Sequence, residues 1–254
     1  MLGSAIAVRT ALALSFRHQA ALSITRLEQS RYWLKSANLA LCYWGFACRR
    51  DATSANGAGR AAFYCCAYDV ITDWRNYDAD LYRWFRNLLK SELPHRSAEI
   101  ALRLYEQERA GTLAIDGLSR GIDALEFISG LIGSEQYLRD HFDFEKVGIV
   151  MQIVDDVLDW EDDLRYNQTN CLLTSPSKRA EYLDMLLDFD LCHFNSTLPQ
   201  ARLLCRVIRS AQGQARQLKS SNSFRFEKAP SIEDHPHHNV NEEKHTEITC
   251  DVDH

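Results

Sequence analysis

Two segments of the chain each carry a pair of aspartates four residues apart, directly after an apolar run. Asp155 and Asp159 lie in "GIVMQIVDDVLD", and Asp69 and Asp73 lie in "FYCCAYDVITD". Residues four apart share one face of an α-helix, with about 5–6 Å between their Cβ atoms. Two carboxylates held this close repel each other, and Mg²⁺, which prefers oxygen ligands and also accepts phosphate oxygens, relieves the repulsion. Each pair is therefore half of a candidate metal–phosphate site.

The surroundings of the two pairs favour a site over ordinary surface charge. A single acid pair at this spacing is more typical of a solvated helix face. Here Val70 and Ile71 separate the first pair, and Val157 and Leu158 the second, so each helix has an apolar side beside its acidic side. Two such helices facing one cavity would present four carboxylates, a geometry that suits two or three Mg²⁺ ions around a diphosphate.

Composition bounds the class of protein. The chain has 254 residues, is 46% hydrophobic and 25% charged, and carries a formal charge of -6, which suits one soluble domain with a sizeable core. The net negative charge argues against a nucleic-acid-binding surface. No apolar run approaches the roughly 18 residues that span a bilayer. We expect a cytoplasmic protein without a transmembrane segment.

Scarce proline and few alternating segments predict helices almost throughout. The expected helices are 4–23, 26–49, 58–76, 79–92, 96–117, 119–132, 135–140, 144–165, 176–192 and 197–219, with breaks at 51–60, 91–97 and 195–199. The N-terminal stretch 1–26 has no acid, the first being Glu28, and carries three arginines. Its helix, 4–23, is open to two interpretations. It is either a bundle helix with a wet arginine face, which we favour, or an organellar targeting segment.

The remaining polar features predict little chemistry. Residues 221–254 are polar, acidic and histidine-rich, and cannot bury enough apolar area to offset their ordering entropy, so disorder is expected. The eight cysteines show no CxxC spacing, which predicts reduced, mostly buried thiols and no structural zinc site. We therefore expect a helical domain at 1–220 and a disordered tail at 221–254.

The second aspartate pair resembles a known signature. "GIVMQIVDDVLD" is similar to the second aspartate-rich motif of trans-isoprenyl diphosphate synthases, approximately G-x-x-F-Q-x-x-D-D-x-x-D, with Met151 in place of the aromatic. "DVITD" resembles the first motif, D-D-x-x-D, with Val70 replacing the second acid. The resemblance implies an all-α class I isoprenoid synthase-like bundle around a central cavity, over residues 1–220.

Departures from the family pattern narrow the expected activity. Chain-elongating members follow the first motif with an arginine pair and glycine, whereas this chain has "WRNYD". The second signature of terpene cyclases, an Asn/Asp–Ser/Thr–Glu triad, is also absent. We expect a terpene cyclase that ionises one linear prenyl diphosphate. The alternatives are a prenyltransferase that condenses prenyl diphosphates and a non-catalytic helical metal-binding or interaction module.

The resemblance also implies roles for individual residues. Five aspartates are expected to bind the metal: Asp69, Asp73, Asp155, Asp156 and Asp159. All of them except Asp156 are also expected to be catalytic. Diphosphate contacts are expected from Arg109 in "RAGTL", Arg120 in "RGID", Gln152 of the second motif, and Arg165. "RGID" resembles the Arg-x-x-Asp diphosphate sensor of cyclases. Aromatic faces at Phe63, Tyr64 and Tyr68 could line the pocket and stabilise cations. A homodimer is possible, since dimers are frequent in the family.

Overall fold

The structure is a computed structural model of the whole chain. It describes residues 2–74, 78–110, 118–166, 170–173, 176–198 and 200–220, except for the side chains of Asp73, Trp74 and Tyr166. Residues 1–220 form one compact unit by their internal contacts, and this unit ends where the composition changes. The predicted disorder of the tail concerns residues 221–254, which lie outside the described residues.

The described residues are helical, with no strand among them, so the predicted all-α class is confirmed. The α-helices are α1 (Leu2–His18), α2 (Arg26–Trp44), α3 (Ala52–Asp69), α4 (Ala79–Glu92), α5 (His95–Arg109), α6 (Leu118–Ile132), α7 (Glu135–His141), α8 (Phe144–Leu158), α9 (Trp160–Tyr166), α10 (Pro176–Leu187), α11 (Leu191–Thr197) and α12 (Arg202–Ser220). A π-helix, Val70–Trp74, continues α3, and a 3₁₀ turn, Cys171–Leu173, precedes α10.

Several expected boundaries are wrong, and capping residues explain two of them. Residues 51–60 are not a break, because the Asp51 carboxylate accepts from the Ser54 N–H at 2.7 Å and starts α3. The expected helix 176–192 ends early, because Asp190 caps a new helix at Leu191. The expected helix 144–165 is interrupted at Asp159, which ends α8 with φ -96° and ψ 4°.

Close helix contacts at glycine hold the centre of the bundle together. Helix α3 packs against α1, α2 and α6, and α6 packs against α8. At the α6–α8 contact, a Cβ built on Gly121 would lie 2.3 Å from the Gly148 carbonyl oxygen. Glycine at both positions therefore lets the two backbones approach closely enough for their side chains to bond across the interface.

The described residues also answer two smaller expectations. Their seven cysteines are all free: Cys42, Cys48, Cys65, Cys66, Cys171, Cys192 and Cys205. Only three of them are buried, so the expectation of mostly buried thiols is wrong. Helix α1 belongs to the bundle and packs on α2 and α3 through buried Ala7, Ala11 and Ser15. Within the described ranges, none of the helices combines the length and apolarity needed to cross a membrane.

Candidate active site

A cavity of about 230 Å³ lies between helices α2, α3, α5, α6 and α8. Its lining is formed by Lys35, Leu39, Tyr43, Tyr64, Cys65, Tyr68, Asp69, Thr72, Phe85, Ala101, Leu104, Glu108, Arg120, Ala124, Phe127, Gln152, Asp155, Asp156, Asp159 and Asp163. The first and second aspartate pairs thus contribute Asp69 and Asp155/Asp159 to one hollow, as their spacing and context predict.

The lining is polar at one end and apolar at the other. Helix α2 offers Lys35 and then, two turns later, Tyr43, a rise of about 12 Å. Helix α6 runs the same way, from Arg120 to Phe127, whereas α3 runs from Tyr64 to its last residue, Asp69. We call these the polar end and the apolar end. The Tyr64 and Phe127 rings meet at the apolar end with centroids 6.4 Å apart.

Asp69 is held at the polar end by a lysine that the sequence analysis missed. The Lys35 ammonium lies 2.7 Å from Asp69 Oδ2. Asp69 is the main reason that the pKa of Lys35 is raised, against the opposing effect of burial, and Asp155 adds to the increase. Lys35 therefore lies within the field of both aspartate pairs and acts as a counter-ion for them.

The Asp155 carboxyl group faces the cavity and is also partly enclosed by protein. Its side chain is open to solvent through the cavity but has protein atoms on most sides. This partial desolvation, followed by repulsion from Asp156, raises its pKa to about 7, although Arg120 opposes the shift. The pKa of Asp159 is also raised, first by burial, while Lys35 opposes the increase. The site accumulates more negative charge than its own cations offset.

Asp156 has a different environment from its neighbours. Its Oδ1 accepts from Gln152 Nε2 at 2.9 Å, and its Oδ2 accepts from the Cys171 backbone N–H at 2.8 Å. It is buried, and the Arg120 guanidinium lies 3.9 Å from its Oδ1. These contacts fix the 3₁₀ turn after α9 and favour a positioning role for Asp156 over direct metal ligation.

Arg120 is the second cation of the polar end. Its Nε donates to Gln152 Oε1 at 3.1 Å, and its Nη1 lies 3.5 Å from Glu108 Oε1. Glu108 also accepts from the Tyr68 hydroxyl. Burial lowers the pKa of Arg120, but Glu108, Asp155 and Asp156 outweigh that effect and raise it overall. Arg120 is thus a fixed positive charge directed into the cavity.

A buried amide supports the acidic helix end from behind. Asn170 Nδ2 donates to the Asp156 carbonyl at 2.7 Å and to Asp163 Oδ2 at 2.8 Å. Burial raises the pKa of Asp163, and the bond from Asn170 opposes this. Asp163 lines the cavity and is four residues beyond Asp159. It extends the acidic row by one more carboxylate.

Other predicted site residues lie elsewhere. Arg109 and Arg165 are exposed and do not line the cavity, and Arg165 is instead 3.6 Å from Asp162, three residues away on the same helix. Phe63 is also absent from the lining. Consecutive residues of a helix point in different directions, so Tyr64 faces the cavity while Phe63 points into the core. Its ring centroid lies 5.3 Å from that of His18.

The first aspartate pair spans a change of helix type. Asp69 ends α3, whereas Asp73 belongs to the π-helix. The expected α-helical spacing therefore does not apply between them. π-helical turns are rare, and those that occur within α-helices are often found at functional sites. The side chain of Asp73 lies outside the described residues, so its predicted role stays a prediction.

The donor set of the polar end suits a hard divalent cation. Carboxylate oxygens are the ligands that Mg²⁺ prefers, and repulsion among Asp155, Asp156 and Asp159 is the strain that such an ion relieves. Among the side chains that the structure describes, no three or more ligand groups converge as they would around a bound ion. Since Lys35 pairs with Asp69, Mg²⁺ binding there would require the lysine to move.

Some site residues carried a signal in the sequence and others did not. Lys35, Leu39 and Tyr43 recur every four residues on α2, so a cation heads an otherwise apolar row. Asp163 continues the four-residue spacing of Asp155 and Asp159. Glu108 has no such signal, because its position depends on how α5 meets α6.

Comparisons of the chain with protein-family models, with curated proteins and with solved structures found no match.

Proposed function

We propose that this chain is a magnesium-dependent terpene cyclase that ionises one linear prenyl diphosphate. The single observation that carries the proposal is one hollow with acids from α3 and α8 at its polar end and aromatic and aliphatic side chains at its apolar end. A prenyl diphosphate has the same division, with a highly charged head and a long hydrocarbon tail. The resemblance of "GIVMQIVDDVLD" to the second synthase motif agrees with it.

The polar end would bind the diphosphate head. Asp69, Asp155 and Asp159 would hold Mg²⁺, with Asp163 as an additional carboxylate of the same lining. Bound Mg²⁺ would supply neutralisation of the negative charge that develops on the departing diphosphate. Arg120 would donate to diphosphate oxygens from a position fixed by Gln152 and Glu108.

Lys35 would also act on the diphosphate. Its ammonium is 2.7 Å from Asp69, and an ion at that carboxylate would release it towards the leaving group. The C–O bond then breaks with both electrons leaving on the diphosphate oxygen, and an allylic carbocation remains. Positive groups arranged before the reaction stabilise this charge separation more than they stabilise the substrate.

The apolar end would receive the hydrocarbon. Leu39, Phe85 and Leu104 exclude water there, which delays capture of the cation by hydroxide or water. The faces of Tyr64 and Phe127 offer π electrons to the positive charge. The cation closes a ring by attack of an internal double bond and finally loses a proton to the released diphosphate. This accounts for a cyclic hydrocarbon without any added oxidant.

The size of the cavity favours one substrate over two. A volume of about 230 Å³ is below the roughly 300–1,000 Å³ typical of small-molecule sites. Condensation of two prenyl diphosphates would need room for a second chain. Prenyl transfer is therefore the second candidate, favoured only by the motif resemblance, and the non-catalytic module is the third.

The test is incubation of the purified protein with geranyl, farnesyl or geranylgeranyl diphosphate, each with and without isopentenyl diphosphate. A hydrocarbon formed from a single substrate in the presence of Mg²⁺, detected by gas chromatography, is the expected result. Longer alcohols after phosphatase treatment, formed only with isopentenyl diphosphate, would instead show prenyl transfer. No Mg²⁺-dependent diphosphate release with any substrate would contradict both enzymatic proposals.

A matched pair of variants assigns the activity to the cavity. Asp155→Asn/Asp159→Asn removes both carboxylate charges and should lower diphosphate release at least about a hundredfold, since they are expected to hold the ion that stabilises the leaving group. Asp188→Asn changes an exposed acid outside the cavity and should leave turnover unchanged. Full activity in the double variant would exclude these aspartates from the site.

A further inference from the structure

A second groove lies at the surface between α1 and α3, outside the candidate active site. Its volume is about 580 Å³, and it is lined by Ile6, Arg9, Thr10, Ala13, Leu14, Arg17, Asn56, Arg60 and Glu92. None of these residues lines the cavity that holds the aspartates. The proposed cyclase reaction does not use this groove.

The walls of the groove are fixed by close helix packing. On α1 the lining residues recur every three or four positions, which puts Ile6, Arg9, Ala13 and Arg17 along one face. The Thr10 hydroxyl donates to Asn56 Oδ1 at 2.8 Å across the two helices. Gly59 permits this approach, because a Cβ built there would lie 2.4 Å from the Ala7 carbonyl oxygen.

The groove is positive in a chain that is negative overall. It contains three guanidinium groups and one carboxylate, whereas the whole chain has a formal charge of -6. Arg60 is already engaged, because it donates to the Glu92 carbonyl, and the Glu92 carboxylate accepts from the Tyr64 hydroxyl at 2.9 Å. Within the described part of the chain, neither Arg9 nor Arg17 forms an ion pair.

Helix α1 gives this charge no internal compensation. Residues 2–18 include no aspartate or glutamate, and Arg9 and Arg17 are both exposed on the face that borders the groove. Between them lie the side chains of Ala13 and Leu14. Two planar, permanently charged donors flanking an apolar strip match a ligand with a phosphate group and a short hydrocarbon part.

We propose that the groove between α1 and α3 is a second binding site, which takes a phosphate-bearing ligand through Arg9 and Arg17. The ligand is either a free phosphate or diphosphate ester, or the headgroup of an anionic lipid, since both offer the same oxygens to the arginines. The site is independent of Mg²⁺. It is also independent of the aspartates, so it stands whether or not the chain is a cyclase.

The first test measures binding of inorganic diphosphate by calorimetry in buffer with EDTA. Without a metal, the acidic cavity repels the anion, so the groove alone is measured. Saturable binding is expected in the unaltered protein and in Asp155→Asn/Asp159→Asn. In Arg9→Gln/Arg17→Gln it should be at least about tenfold weaker, because two charge-assisted contacts are lost.

The control variant is Arg206→Gln/Arg209→Gln, which removes the same charge from exposed positions on α12. It should bind diphosphate like the unaltered protein. Circular dichroism of all variants checks that helicity is kept. If diphosphate binding were equally weakened in both arginine double variants, the effect would come from net charge alone, and the proposal would be overturned.

A second arm distinguishes the two ligand sources. Flotation with vesicles containing phosphatidic acid is compared with vesicles of phosphatidylcholine alone. Binding of phosphatidic acid that depends on Arg9 and Arg17 identifies a lipid headgroup, and binding of free diphosphate with the same dependence identifies a soluble ester. If neither probe binds in an Arg9- and Arg17-dependent way, the groove is not a phosphate site.

Discussion

Asp155 shows how a cavity can make a carboxylate costly to the folded protein. Its pKa is raised from 3.8 to about 7, first by partial desolvation and then by Asp156. Between these two values the folded state binds more protons than the unfolded state. The free energy of unfolding therefore falls as the pH rises from about 4 to about 7 and levels off above that.

The first prediction follows from that sign. The Asp155→Asn side chain has no proton to lose and stays neutral, so in EDTA the stability of this variant should exceed that of the unaltered protein by more at pH 8 than at pH 5. Thermal unfolding at the two pH values measures the difference. The control Asp188→Asn, at an exposed position, should show the same small change at both values. A pH-independent effect of Asp155→Asn would contradict the electrostatic assignment.

Lys35 carries the second prediction at this scale. Its ammonium competes for Asp69 at 2.7 Å, so Lys35→Met should bind Mg²⁺ about three- to tenfold more tightly when no diphosphate is present. Calorimetric titration with MgCl₂ measures this, and Lys146→Met, at an exposed position on α8, is the matched control. If Lys35→Met binds Mg²⁺ more weakly or equally, the lysine does not compete with the metal.

Residue patterns indicated part of the site and missed the rest for a physical reason. Asp155 and Asp159 could be predicted because helical periodicity places them on one face next to apolar neighbours. Lys35, by contrast, takes its role from Asp69, which lies 34 positions away on another helix. Arg109 and Arg165 were expected near the diphosphate from local motifs, and the packing of their helices leaves both outside the cavity.

At the scale of helices, the polar end is built by alternating chain direction. Helix α6 brings its first turn to it and α2 brings Lys35 from its middle, whereas α3 and α8 bring their last turns. Helix content was predictable from periodicity and scarce proline. The interruption at Asp159 and the π-helix from Val70 were not, because both depend on contacts between helices more than on local residue preference.

The α6–α8 contact carries the third prediction. A methyl group at Gly121 would meet the Gly148 carbonyl at 2.3 Å, so Gly121→Ala should lower the free energy of unfolding by about 1–3 kcal/mol. Moving the helices apart should also break the bond from Arg120 to Gln152. Urea unfolding measures the loss of stability, and diphosphate release measures the loss of turnover.

Gly213 supplies the matched control for that substitution. It lies within α12 with nothing within 4 Å of an added Cβ, so Gly213→Ala should raise stability by about 0.5–1 kcal/mol. Opposite signs for two Gly→Ala changes within helices would separate close packing from helix propensity. A stabilising effect of Gly121→Ala would show that the helices adjust without cost.

At the scale of the whole molecule, the clustering of negative charge around the cavity opposes folding. A chain of formal charge -6 gathers Asp69, Asp155, Asp156 and Asp159 around one hollow and offsets them there with Lys35 and Arg120. The arginines of α1 lie at a different groove and cannot compensate this cavity. The folded unit should therefore gain stability from any ligand that supplies the missing positive charge.

The fourth prediction is that Mg²⁺ and inorganic diphosphate together raise the melting temperature of the unaltered protein. A ligand at about 100 times its Kd adds about 2.7 kcal/mol, which corresponds to roughly 5–10 °C for a unit of this size. Asp155→Asn/Asp159→Asn should show little of this shift, whereas Asp188→Asn should show all of it.

Diphosphate with EDTA reports only the groove at α1, so subtracting its effect isolates the metal-dependent part of the shift in melting temperature. If the double variant keeps that metal-dependent part, the ions bind away from α8, and the acids gathered at the polar end are a cost to stability that magnesium does not offset.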